Sequence, residues 1–218
     1  MYRMSTLIDL EKGARLSTTQ IVQSLLHDIY LKDACTYFHC CNVGLYAGHM
    51  IQQMWGTYGF NEDFDEISIK CLLTSALLHD VGKIMIPDEI LNKPGPLTHD
   101  EFELMKTHTE WSWKILYEVA SLCPDRADFF QLCGDVARCH HEYLDETGYS
   151  RGLPKTNIQV GSRIITICDI YEALSAQRCY RPAKSHNEAV TLLTEQFKGK
   201  VDPCILNDFI CMLQRMHA

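Results

Sequence analysis

The sequence predicts an all-α protein, and three features carry that prediction. Apolar residues recur at helical spacing along most of the 218-residue chain. The one run with a strand-like start, residues 158–175, keeps helical spacing in Val160, Ile164, Ile167, Ile170 and Leu174. Proline- and glycine-bearing stretches, PDEILNKPGPL and LDETGYSRGLPKT, punctuate the helical segments. The expected architecture is a multi-helix bundle around one core over residues 18–218, preceded by a short, loosely attached extension over residues 1–17.

Each element follows from its pattern. Residues 18–32, TTQIVQSLLHDIYLK, place Ile21, Val22, Leu25, Leu26 and Ile29 on one face. Residues 36–55 do the same with Val43, Tyr46, Ala47, Met50 and Met54. The next helix ends near His79, Asp80 and Gly82. Thr98 to Glu101, THDE, is a capping box: the threonine accepts from the third backbone N–H and the glutamate reaches back. It opens a helix running towards Trp113 and Tyr117, on which Trp111 and Trp113 cannot both face the core. A further helix ends near His140 and His141. Residues 158–175 read as a helix, and residues 185–196 and 202–215 close the bundle.

Composition narrows the function. A formal charge of -8 removes bulk attraction to a nucleic acid polymer or an anionic membrane. A small anionic ligand then needs metals or local basic residues to hold it. The eleven cysteines form no CxxC pair and lie mostly in apolar runs, as at Cys71, Cys168 and Cys211. They read as buried reduced thiols, which favours the cytoplasm. The N-terminus has no secretory h-region, and no stretch reaches the ~18 apolar residues that span a bilayer.

The ten histidines are the most informative residues. His27, His49, His99, His186 and His217 have no convincing partners. His79–Asp80 and His140–His141 are adjacent pairs at predicted helix ends, where the backbone turns away and side chains can converge. Gly82 permits close backbone approach, and Lys83 sets a positive charge beside the first pair.

Taken with KPGPLT, His108, HHEYLDETGY, Asp169 and Arg178-Cys-Tyr-Arg181, the order of motifs from about Asp33 to Leu193 closely resembles the HD-GYP family. This is a branch of the HD superfamily of metal-dependent phosphohydrolases. The resemblance implies a compact HD-domain bundle with seven metal ligands. His39, His79, Asp80 and Asp169 would hold one ion. Asp80, His108, His140 and His141 would hold the second, with Asp80 bridging and Glu172 behind the ligands. It also implies catalytic roles for Asp80 and Lys83, and substrate contacts from Lys83, Tyr149, Arg178 and Arg181.

Imidazole with carboxylate suits two divalent transition-metal ions, iron or manganese first and nickel or zinc next, rather than calcium. Such a pair makes the site locally positive on an acidic protein, clamps a phosphate and lowers the pKa of water. The implied activity is hydrolysis of a cyclic dinucleotide, cyclic di-GMP to pGpG and on to GMP. Another cyclic dinucleotide or nucleotide as substrate, or a catalytically weak nucleotide sensor, is the alternative. A regulatory protein partner or a homodimer would supply any control.

Three departures stand out. Where the family reads HHExxDGxGYP, this chain has Glu146 for the first glycine and Ser150 for the proline, while Gly148 and Tyr149 remain. Cys35 stands where some members carry a glutamate for a third metal, so two ions are expected. No receiver or sensory domain is recognisable in the sequence.

Overall fold

The computed structural model describes residues 4–58, 66–177 and 183–216, and all regular structure among them is helical. The helices are α1 (Ser5–Glu11), α2 (Thr18–Lys32), α3 (Ala34–Tyr58), α4 (Glu66–Leu78), α5 (Asp88–Leu91), α6 (His99–Lys106), α7 (His108–Leu122), α8 (Ala127–Arg138), α9 (Val160–Ser175), α10 (His186–Gln196) and α11 (Pro203–Met216). Capping boxes start three of them: Ser17 with Gln20, Thr98 with Glu101 and Ser185 with Glu188. The strand-like run is helix α9, with every residue from Ile164 to Glu172 buried. A helix covered on nearly all sides is apolar all round, which hid its period.

The helix expected from Thr98 through Tyr117 is broken at Thr107. Three successive side chains bond carbonyls three residues back: Thr107 Oγ1 to Leu104 at 2.7 Å, His108 Nδ1 to Met105 at 2.7 Å and Thr109 Oγ1 to Lys106 at 3.0 Å. These side chains compete with the helical ladder and end α6 just before His108.

Two apolar clusters share α3 and α4. One gathers α3, α9, α10 and α11 around residues such as Met50, Ile165 and Phe209. The other gathers α1, α2, α7 and α8 around Leu25, Leu116 and Phe130. Each such side chain contributes about 1.5–3 kcal/mol on burial. Cys40, Cys71, Cys123, Cys133, Cys139 and Cys168 are buried as thiols in this apolar interior, while Cys211 is half-buried.

The expectation of a loosely attached N-terminus is corrected. Met4, Thr6 and Leu10 are buried, and the buried carboxylate of Asp28 on α2 receives α1. It accepts Ser5 Oγ–H at 2.7 Å, Thr6 Oγ1–H at 2.9 Å and the Ser5 and Thr6 backbone N–H groups at 3.3 Å. A buried carboxylate without partners is strongly destabilising, so Asp28 requires α1 in place.

Candidate metal centre

His79 and Asp80 follow the last turn of α4, where the chain passes into a 3-10 turn over Val81–Met85. That turn is pressed against the start of α7. A Cβ on Gly82 would lie 2.0 Å from the His108 carbonyl oxygen and 2.4 Å from the Ser112 nitrogen, so only glycine fits. The close approach serves helix packing, with Ser112 as the tie: its hydroxyl donates to the His79 carbonyl at 2.7 Å and accepts Gly82 N–H at 2.9 Å. Nothing in the sequence marked Ser112 for this part.

Four histidines are held by the same device. Nδ1 of His79, His108 and His140 meets the carbonyl three residues back, on Ala76, Met105 and Ala137, at 2.8, 2.7 and 2.6 Å. A carbonyl only accepts, so each Nδ1 carries the proton and each Nε2 presents a lone pair. His39 gives its Nδ1–H to Glu172 Oε2 at 2.5 Å, while Glu172 Oε1 accepts from Asn42 at 3.1 Å. A carboxylate behind the imidazole fixes ring and tautomer, the arrangement that commonly supports a histidine ligand.

The Nε2 atoms converge on Asp80. Oδ2 lies 3.4 Å from both His39 and His79, and Oδ1 lies 3.2 Å from His108 and 3.9 Å from His140. Asp169 Oδ1 is 3.1 Å from His39 Nε2, and its Oδ2 is 3.7 Å from His141 Nδ1. His39, His79 and Asp80 form one group able to hold a metal ion, and His108, His140 and His141 form another. All seven residues singled out in the sequence therefore lie together, with the two oxygens of Asp80 facing different groups.

The electrostatics call for cations. Asp80 Oδ1 is a buried side-chain atom with no hydrogen-bond donor. Its neighbours His108, at 3.2 Å, and His140, at 3.9 Å, offer lone pairs, so acceptors face acceptors, which only a proton or a metal ion relieves. Burial pushes the Asp80 carboxyl up, yet the Lys83 ammonium outweighs it and holds it well below the usual range. Lys83 Nζ donates to Asp80 Oδ2 at 2.5 Å; burial pushes Lys83 down and Asp80 more than restores it, so it stays charged. Burial drives His140 well below its ordinary value and His141 down to about 3, keeping both neutral as ligands must be. With no cation bound, burial pushes His39 down, but its hydrogen bonds to Asp169 and Glu172 prevail and raise it to about 9. A metal ion would displace that proton.

Glu146, in the glycine position, holds φ +63°. A Cβ on Gly148 would lie 2.3 Å from the His141 carbonyl oxygen, so this glycine is required. Glu142, which sequence reasoning passed over although it follows the double histidine, accepts Arg151 N–H at 2.6 Å and Leu153 N–H at 3.0 Å. Ser150, in the proline position, donates to Glu110 Oε1 at 2.7 Å, and Arg138 clamps Glu110 with two bonds of 2.7 Å. Arg138 also lies over Trp113, whose indole N–H reaches Asp135 at 3.1 Å. Tyr149 packs on His141 with ring centroids 4.6 Å apart. Arg178 and Arg181 lie outside the described residues.

A cleft of about 360 Å³ leads from the surface to this centre, lined among others by Lys83, Met105, His108, His141 and Tyr149. Cys35 stands at its edge. A larger groove of about 940 Å³ runs over α2, α4 and α8, away from the histidines, and holds none of these residues.

Known proteins share both fold and sequence. The HD domain family model matches residues 4–205. The chain is 36% identical over 150 residues to the cyclic di-GMP phosphodiesterase of Vibrio cholerae serotype O1, covering 69% of this chain and 30% of that protein. It is 38% identical over 132 residues to 3'3'-cGAMP-specific phosphodiesterase 3 of the same organism, covering 61% and 27%. It thus spans less than a third of the length of these relatives. The solved structure of Bd1817, a HDG"Y"P protein from Bdellovibrio bacteriovorus, shares the fold: the TM-score is 0.60 at 18% identity, covering 96% of this chain and 68% of that one. No helix among the described residues is long and apolar enough to cross a membrane.

Proposed function

The chain belongs to the HD domain family, and from that premise we propose that it is a two-metal phosphodiesterase opening a cyclic dinucleotide, cyclic di-GMP first, to pGpG and on to GMP. One observation carries the reading: the buried, donorless Oδ1 of Asp80 among histidine lone pairs. Relatives named as cyclic di-GMP phosphodiesterases support the substrate.

His39, His79, Asp80 Oδ2 and Asp169 Oδ1 would hold one divalent ion. Asp80 Oδ1, His108, His140 and His141 would hold the other. Iron or manganese suits the imidazole and carboxylate set best, with nickel or zinc next. Two such ions supply a clamp on the phosphate and a nucleophile from water at neutral pH.

The residues of the chain do the rest. Hydrolysis adds water across a P–O3′ bond, and negative charge gathers on the non-bridging oxygens. Lys83 stays protonated and lines the cleft, where it stabilises that charge. Glu172 and the three backbone carbonyls keep the imidazoles aimed, so little reorganisation is needed. Tyr149 covers His141 and limits water at the centre. With a cyclic dinucleotide as substrate, the cytoplasm is the compartment that this reading implies.

The changed loop and the relative named for 3'3'-cGAMP favour a second substrate in this class. The test is a panel of cyclic di-GMP, 3'3'-cGAMP and cyclic mononucleotides, with iron, manganese or nickel, products separated by chromatography. Release of pGpG or GMP supports the reading. Absence of turnover with every metal and substrate overturns it, and tight binding without turnover would make the protein a sensor.

A further inference from the structure

Resting on the phosphodiesterase reading, we propose that Phe102, flanked by Lys106, is the platform on which one substrate base stacks, and that Tyr149 is a wall of the metal centre. Tyr149 is the ring that the sequence singled out, but its surface is largely committed. It packs on His141 at 4.6 Å, meets His108 edge-on at 6.4 Å and is half-buried.

Phe102 is the next ring outward. It meets Tyr149 edge-on at 6.4 Å and is 44% exposed. Lys106, one turn on, places Nζ 5.1 Å from the Phe102 centroid and 5.7 Å from that of Tyr149, with Glu103 holding the ammonium at 2.6 Å. Phe102, Met105 and Lys106 share one face of α6, and Met105 lines the cleft. Phe102 itself stands just beyond the cleft lining, against Tyr149, which does line it. Helix α6 buries none of its residues, so the packing of the core does not account for a phenylalanine there.

The size of the cleft points the same way. About 360 Å³ is near the lower end for a small-molecule site, and a cyclic dinucleotide carries two bases on a rigid ring. With the scissile phosphate at the metal centre, one nucleoside fills the cleft and the other base falls on its rim. An exposed aromatic face takes any purine, and the Lys106 ammonium beside it attracts the second phosphate. The platform thus sets affinity for cyclic dinucleotides over cyclic mononucleotides without choosing guanine over adenine.

The experiment compares native protein with Phe102→Ala, Phe102→Trp and Lys106→Met, all manganese-loaded. It measures kcat and KM on cyclic di-GMP, calorimetric Kd for a hydrolysis-resistant phosphorothioate analogue, metal content and Tm. Loss of a stacked base corresponds to about 5- to 150-fold in affinity. Phe102→Ala should raise KM and Kd within that range, with kcat changed less than about threefold, and Phe102→Trp should restore both. Metal content and Tm should not move. Lys106→Met should weaken binding less and reduce its salt dependence. If native protein cleaves cyclic di-GMP and Phe102→Ala keeps KM and Kd within about twofold, the platform alone is overturned. A fall in Tm or metal content would make Phe102 a structural residue and also overturn it. If native protein neither binds nor cleaves any cyclic dinucleotide, the phosphodiesterase reading fails and the platform with it.

Discussion

Glu172→Gln probes the support behind the metal centre. Glu172 Oε2 receives His39 Nδ1–H at 2.5 Å, and Oε1 receives Asn42 at 3.1 Å. An amide keeps one acceptor oxygen for His39 Nδ1–H, turns an N–H donor towards the Asn42 donor, and loses the charge. Burial pushes His39 down, and the bonds to Asp169 and Glu172 raise it to about 9, against 6.5 for a free imidazole. That difference is worth about 3 kcal/mol. Its sign follows from a folded pKa above the unfolded one. The contribution is complete below about pH 6.5 and disappears as the pH rises through 9. Removing one of the two carboxylates should therefore cost the cation-free protein about 1–2 kcal/mol at pH 6 and little at pH 10. Metal binding at pH 7 should displace one proton from His39 in the native protein, so affinity for Mn²⁺ should rise about tenfold per pH unit up to about pH 9. In Glu172→Gln the proton release should shrink, and affinity at pH 8 should fall about 10- to 100-fold through loss of the oriented, more basic imidazole. Calorimetry in two buffers of different ionisation enthalpy measures affinity and proton count together. A variant that binds Mn²⁺ as tightly as native protein and releases as many protons would refute the reasoning.

Three further outcomes are expected. Asp80→Asn should abolish turnover and lower the metal content below one ion per chain by plasma mass spectrometry; two retained ions would show that this carboxylate is not shared. Glu146→Gly should stabilise the fold, because left-handed backbone costs an L-residue about 1–2 kcal/mol and the added freedom of the unfolded glycine returns about half. Urea unfolding should show a gain of about 0.5–1 kcal/mol, and a loss would mean that the glutamate side chain holds the loop. Asp28→Asn should cost about 2–4 kcal/mol and expose α1 to rapid hydrogen exchange, because charged hydrogen bonds are lost at a buried site; unchanged protection of Ser5–Glu11 would remove Asp28 as the anchor.

The pairs His79–Asp80 and His140–His141 were legible in the sequence because adjacent residues are local and rest on helix ends that the pattern predicts, whereas His39, His108 and Asp169 were picked out through the family resemblance. Capping at Thr98 was legible for the same reason. Glu142 and Ser112 were not, since each holds backbone that only the folded turn brings near: Arg151 and Leu153 for one, His79 and Gly82 for the other. The break at Thr107 was hidden because Thr107, His108 and Thr109 are ordinary helix residues until three of their side chains turn back together.

Helical period, helix ends and the adjacent His79–Asp80 and His140–His141 pairs were determined by the sequence itself, as short-range properties of the chain. Tertiary structure alone decided which oxygen of Asp80 faces which histidines, that α1 docks on Asp28 and that Phe102 stands outside Tyr149. These depend on contacts between residues far apart in sequence, such as His39 with Glu172 at a separation of 133. Spacing in one dimension carries no record of such contacts. They follow from how apolar faces pack and from the requirement that every buried charge meet a partner.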